Sequence, residues 1–99
     1  MSKLLFTNKA VEDLSNIWNC TLNIWSESQA EIYYNLLIEN CNEIASKPVI
    51  GKKYDNITEG LLGLRVASHV IFYRVLPKQD VEITRILHGK MDFESRLLD

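Results

Sequence analysis

The sequence has no apolar run approaching the ~18 residues needed to cross a bilayer, and its first six residues pass straight into a polar stretch. Neither a membrane span nor a signal peptide is therefore expected, and the cytoplasm is the expected location. No Gly-rich phosphate loop, H-E-x-x-H, G-x-S-x-G or Walker pattern occurs, which removes most familiar enzyme classes. The two cysteines, Cys20 and Cys41, sit in neither a C-x-x-C nor a Cys/His ligand spacing, so two reduced thiols on helices are expected, with no metal and no cofactor. Repeats, linkers and low-complexity segments are also missing. At 99 residues and 46% apolar content, residues 1–99 read as one domain, able to bury about 60 to 65% of the surface its unfolded chain exposes.

Positive charge is scarce. The formal charge is −2 and the pI about 5.6, which argues against a large phosphate-binding surface, because clustered Lys and Arg supply most affinity for nucleic acid. The distribution is uneven: residues 1–50 hold three basic and six acidic side chains, whereas residues 51–99 hold eight and seven. The second half is the better place for an anionic partner.

What is present is periodicity. Lys3 to Phe6 reads as a short strand, and Thr7 or Asn8 offers a side-chain oxygen to cap the helix that follows. Val11, Leu14, Trp18, Leu22 and Trp25 recur at steps of three and four, one apolar stripe that places both tryptophans in the core. Ser26-x-x-Gln29 has the form of a capping box, opening a second helix with the stripe Ala30, Tyr34, Leu37, Cys41 and Ile44. Pro48 ends it near Ser46 or Lys47. Two helices with matching stripes make a helical hairpin.

Beyond the Gly51 turn and the polar link from Lys52 to Glu59, β-branched and aromatic residues predict strands at Leu61–Ala67, His69–Leu76 and Val81–Leu87. Pro77-Lys78-Gln79-Asp80 joins the last two as an antiparallel hairpin. The fold class is α+β: an N-terminal strand, a helical hairpin, a three-stranded antiparallel sheet covered by the helices on one side, and a short C-terminal tail.

Arg65, Arg74 and Arg85 fall one in each predicted strand. Arginine in a strand must be paired or kept in water, so each either meets a nearby carboxylate such as Glu82 or Asp92 or lines an exposed groove for anionic groups. His69 and His88 titrate near neutral pH and have the chemistry of a general acid and base. Ser68-His69 is also a natural hairpin turn and His88 precedes Gly89, where the last strand stops, so structural or partner-contact roles are expected of both.

The segments Ser68-His69-Val70-Ile71-Phe72-Tyr73-Arg74-Val75 and Ile83-Thr84-Arg85-Ile86-Leu87-His88-Gly89-Lys90-Met91-Asp92 resemble the C-terminal hairpin of ParE toxins of the RelE/ParE superfamily. The resemblance extends to Ala10-x-x-Asp13-Leu14-x-x-Ile17, to Pro48-x-x-Gly51 and to Gly63-Leu64-Arg65, nearly the whole chain. It implies the same α+β fold and a toxin of a type II toxin–antitoxin system. ParE proteins are associated with inhibition of DNA gyrase and are neutralised by a ParD-like or similar antitoxin in a hetero-oligomer. RelE-type ribonucleases, the enzymatic alternative, place Lys, Arg and Tyr or His on the sheet to cut messenger RNA on the ribosome. Here Arg65 lies where such an arginine is expected and His88 sits at the last strand end, but no basic cluster or terminal Tyr accompanies them. A binding protein with no catalytic residue and no sequence-specific contact to nucleic acid is expected. Its target-binding candidates are Arg65, Arg85, His88, Lys90, Met91 and Arg96, around the tail from His88 to Asp99, where Phe93 and Leu97 are spaced to pack back as a helical turn.

Overall fold

The computed structural model describes residues 3–98, so Asp99, the end of the expected tail, lies outside the described residues. The chain runs β1 (Leu4–Phe6), α1 (Asn8–Ile24), α2 (Glu27–Ser46), a 3-10 turn (Pro48–Ile50), β2 (Lys52–Lys53), β3 (Leu62–Val66), β4 (His69–Val75), β5 (Val81–His88) and α3 (Phe93–Leu97). The expected three-stranded antiparallel unit is the centre of a larger sheet. Its order is β1-β5-β4-β3-β2, with β1 parallel to β5 and every other pair antiparallel. The link from Lys52 was expected to be irregular; its first two residues instead pair with Leu62 and Gly63. Two charged lysines in a row carry no strand signal, and the pairing follows from where the 3-10 turn delivers the chain.

Local chemistry sets the helix ends as expected. The Thr7 hydroxyl accepts from the Ala10 amide at 3.1 Å and the Ser26 hydroxyl from the Gln29 amide at 3.3 Å, each satisfying an amide that the first turn leaves without a helical partner. In α2 the buried residues are Ala30, Leu37, Cys41 and Ile44, four of the five in its stripe, with Tyr34 half-buried. Burial pushes the Cys41 thiol up to about 12, so it behaves as a small apolar group. Cys20 is exposed, and the two thiols are not bonded to each other.

The stripe of α1 is rotated from the expected one. The residues it buries are Ala10, Leu14 and Ile17, whereas Val11 is 54% and Trp25 62% exposed. Trp18 is half-buried, edge-on to Tyr34 with ring centroids 5.9 Å apart. The expectation weighted side-chain size, but a helix lying close on a sheet presents its small residues there, and fully buried Ala10 lets α1 approach β5. Leu22, Ile24, Trp25, Ile32 and Leu36 remain exposed along the hairpin.

The hairpin covers one sheet face, where Leu37, Cys41 and Ile44 pack with Ile71, Tyr73, Val81, Ile83 and Ile86. The Tyr73 hydroxyl, inside this layer, donates to the Pro48 carbonyl and accepts from the Gly51 amide, fixing the 3-10 turn against the sheet. The far face has its own small core of Leu61, Val70, Phe72 and Leu87, closed by Tyr54, Ile57, Phe93 and Leu97. Phe72, Tyr54 and Phe93 meet edge-on, with centroids 5.0 to 6.2 Å apart. Gly63 makes this possible, since a Cβ there would stand 2.8 Å from the Tyr54 ring. Thus the tail does pack back, as α3.

The rotated stripe gives a direct test by urea unfolding. Leu37→Ala, at a fully buried position, is expected to cost about 2–5 kcal/mol, whereas Trp25→Ser should change stability by less than about 0.5 kcal/mol.

Candidate functional site

The fold gathers most of the sequence candidates at one end of the sheet. Arg85, His88, Met91 and Arg96 line a single hollow of about 420 Å³ together with Asp13, Asn16 and Cys20 of α1 and His69 of β4. The hollow forms because β5 outruns β1. β1 pairs only with Val81 to Ile83, so the rest of β5 has α1 beside it and not a strand.

Arg85 meets a carboxylate, but neither Glu82 nor Asp92. Asp13 of α1 accepts from Arg85 Nε at 2.8 Å and Nη2 at 3.0 Å, and from the Ile86 amide at 3.0 Å. Arg85 also donates to the Arg96 carbonyl at 3.3 Å. With both side chains less than a fifth exposed, this is a planar, charge-assisted fork in a partly dry setting. Arg85 accordingly positions α1 and α3 against β5, and its guanidinium is turned to Asp13 more than to solvent.

His69 is the first residue of β4, not part of the preceding turn, which is Ala67-Ser68 with Ala67 at φ 52°. It stands opposite His88 in the ladder, their rings 5.2 Å apart and nearly perpendicular. The Tyr33 hydroxyl lies 2.6 Å from His69 Nδ1. Burial raises the Tyr33 phenol above its ordinary value, so it keeps its proton and donates. Burial, reinforced by neighbouring His88 and opposed by Asp13, lowers the His69 imidazole below its usual value, so the ring is neutral and accepts. The Lys90 amide donates to His88 Nδ1 at 3.1 Å, which places the proton of neutral His88 on Nε2.

The remaining candidates ring this centre. Lys90 and Met91 are exposed on the turn after Gly89, and Arg96 is exposed on α3. Arg65 is exposed on the far face, its guanidinium against Gly89, where a Cβ would lie 3.2 Å from its terminal nitrogens. It therefore reaches the same turn from behind without lining the hollow. Arg74 stands opposite Glu82 across the β4–β5 ladder, a favourable cross-strand pair. Asp13, Asn16 and Tyr33 were not expected in the site. Asp13 had a signal, an acid among apolar positions at Ala10, Leu14 and Ile17; nothing local marks the other two.

Residues 4–93 match the family described as ParE toxin of type II toxin-antitoxin system, parDE. The chain belongs to this family. Toxin ParE1 of Mycobacterium tuberculosis is 35% identical over 96 residues, covering 97% of this chain and 98% of that protein. Toxin ParE1 of Caulobacter vibrioides is 33% identical over 97 residues, covering 98% and 99%. The fold of this ParE chain is that of a chain from the chromosomal ParDE system of P. aeruginosa, with TM-score 0.77 at 20% identity over 89% of this chain and 96% of that one. A chain of the toxin–antitoxin complex RelBE2 from M. tuberculosis has TM-score 0.69 at 19% identity, covering 88% and 96%. Among the described residues of this ParE protein, no helix is long and apolar enough to cross a membrane.

Two outcomes are expected from the site's electrostatics. Asp13→Ala should cost about 2–4 kcal/mol in urea unfolding, near the lower part of the range for breaking a buried pair. The imidazole of His69, lowered in the folded state, binds fewer protons than the unfolded chain once the pH drops below about 6.5, so stability should decline on acidification through that point. Thermal melts from pH 8 to 5 check this, and His69→Gln should flatten the decline.

Proposed function

We propose that this ParE toxin is a non-enzymatic, cytoplasmic inhibitor of DNA gyrase, held silent by a ParD-like antitoxin in a hetero-oligomer. Family membership supports the class of target. The observation that carries the binding mode is the hollow at the end of β5. It presents a half-buried imidazole, the thioether of Met91 and the cation of Arg96 around an apolar floor of Ile17, Ile86 and Leu87. Apolar centre with charged rim is the make-up of a protein hot spot. Lys90, and Arg65 behind Gly89, extend the rim.

The ribonuclease reading draws on the adjacency of His69 and His88. Against it, His69 is held neutral by burial with Nδ1 committed to Tyr33, and Arg85 is committed to Asp13. A cation already tied to a carboxylate is a poor clamp for a scissile phosphate.

The antitoxin platform on this reading is the helical hairpin. A groove lined by Phe6, Val11, Leu14, Trp18, Tyr34 and Ile38 runs between α1 and α2, beside exposed Ile32 and Leu36. An antitoxin segment that folds on contact can cover this surface.

Purified toxin is expected to inhibit supercoiling and leave messenger RNA uncut on ribosomes; site-specific cleavage at concentrations that spare supercoiling would reverse the assignment. Met91→Ala and Lys90→Ala should weaken gyrase inhibition about tenfold or more, at about 1.4 kcal/mol per tenfold, while antitoxin affinity is retained. A chain cut at Gly89 is unsuitable for this comparison, because it loses Phe93 and Leu97 from the far-face core. Antitoxin binding should slow hydrogen exchange in α1 and α2, and unchanged exchange in both would remove the hairpin as the platform.

A further inference from the structure

Gly89 is required by a neighbour and not by its own backbone. Among the described residues Gly60 is the one glycine with a left-handed φ, so the conformation of Gly89 is open to any residue. What excludes a side chain there is Arg65. A Cβ on Gly89 would stand 3.2, 3.2 and 3.3 Å from Arg65 Nη1, Nη2 and Cζ. Distances so nearly equal place the flat face of the guanidinium over Gly89, because an edge-on approach would leave Cζ well behind the two nitrogens. Arg65 stands opposite Val70 of β4, which stands opposite Leu87 of β5, so its stem crosses β4 to lay the cation on the end of β5. The N–H donors lie in the guanidinium plane and therefore run along the surface. Arg65 is exposed, and among the described residues it has no hydrogen-bond or ion-pair partner.

We propose that this stacked guanidinium is a ready-made clamp for a carboxylate side chain of the target protein, and that Gly89 is the positioning residue that keeps it flat. The clamp rests on the reading of the Gly89–Met91 turn as part of the target face, and it gives that face one defined contact. A planar guanidinium matches a carboxylate with two parallel N–H···O bonds. A side chain already held in place loses less entropy on binding. His88 lines the hollow on the helix-covered side, whereas Arg65 lies over the next residue on the far face. A target acid at the clamp and an apolar group in the hollow therefore grip the turn from both faces. Nucleic acid is the poorer occupant. One clamp beside Lys90, on a chain of net charge −2, falls short of the many phosphate contacts on which duplex binding draws.

The test compares Arg65→Ala, Arg65→Lys, Gly89→Ala and the double variant Arg65→Ala, Gly89→Ala with the parent, in thermal melts, gyrase supercoiling and growth arrest on expression. All should melt as the parent does, since Arg65 is exposed and the Gly89 backbone accepts alanine. Arg65→Ala should weaken supercoiling inhibition about tenfold and relieve growth arrest. Arg65→Lys should be nearly as weak, because an ammonium keeps the charge without the fork. Gly89→Ala should cost about three- to tenfold with Arg65 still present. In the Arg65→Ala background it should add nothing, the mark of a residue acting through another. Lys78→Gln, in the exposed β4–β5 turn, should match the parent. In the isolated toxin, nitrogen relaxation at Arg65 Nε should show a rigid group that Gly89→Ala makes mobile, a readout that needs no target. Full activity of folded Arg65→Ala or Arg65→Lys, an additive loss in the double variant, a mobile Nε in the parent, or binding of a short DNA duplex that Arg65→Ala abolishes would each overturn the clamp. A parent that arrests growth without inhibiting supercoiling removes gyrase as the target, and growth arrest by the same variants then decides the clamp. A parent with neither effect overturns both.

Discussion

One carboxylate holds the candidate end of this molecule together. Strand β5 has eight residues and its neighbour β1 three, so half of an edge would stand with its ladder groups open. Thr7 closes the first gap, donating its hydroxyl to the Thr84 carbonyl at 2.7 Å. Asp13 closes the next by accepting the Ile86 amide and the Arg85 fork together. Helix α1 thereby does chemically what a longer β1 would have done, and the edge offers no ready template for another strand there. Because Arg85 also donates to the Arg96 carbonyl, the same carboxylate indirectly seats α3. The pair's net worth is modest after desolvation; its consequence is geometric, since the hollow at His88 exists only where α1, β5 and α3 are held apart at this spacing.

The far face obeys a different constraint. A sheet covered by helices on one side alone would leave Val70, Phe72 and Leu87 in water, and the described residues form no third long helix to cover them. The loop from Tyr54 to Leu61 and five-residue α3 do so jointly, with the three-ring contact of Tyr54, Phe72 and Phe93 as their centre. The candidate turn Gly89-Lys90-Met91 is thus fastened at both ends, by the β5 ladder before it and by Phe93 after it. Binding through such a turn loses less conformational entropy than binding through a loose tail.

Much of this was legible in the sequence because it is local. Caps at Thr7 and Ser26, the Pro48 stop, the stripe of α2, the Pro77–Asp80 turn and the return of Phe93 and Leu97 all follow from residue types at short spacing. What was not legible depends on distance along the chain. Asp13 and Arg85 lie 72 residues apart, and Tyr33 and His69 lie 36 apart; no periodicity encodes either contact. The stripe of α1 was misjudged for a related reason. Val11 and Trp25 have the right spacing for a buried face, but which face is buried depends on how closely the sheet approaches, and small Ala10 decides that. The Lys52–Lys53 strand was missed because its pairing is imposed by the turn before it and not by its own residues.

On the proposed reading, charge distinguishes the hairpin from the hollow at His88. The hairpin carries Glu12, Glu27, Glu31, Glu39 and Glu43 beside its exposed apolar residues, whereas β5 with the following turn and α3 balances Arg85, Lys90 and Arg96 against Glu82, Asp92 and Glu94. On the proposed reading, an antitoxin segment suited to the first surface is apolar with basic flanks, whereas the second surface carries charges of both signs around its apolar floor. Contact between the surfaces runs through α1, whose outer side lines the hairpin groove at Val11 and Trp18 and whose inner side contributes Asp13, Asn16 and Ile17 to the hollow. On the proposed reading, a partner seated on the hairpin would lie about one helix diameter from the hollow at His88, near enough to obstruct a large enzyme by bulk without touching His88 or Met91.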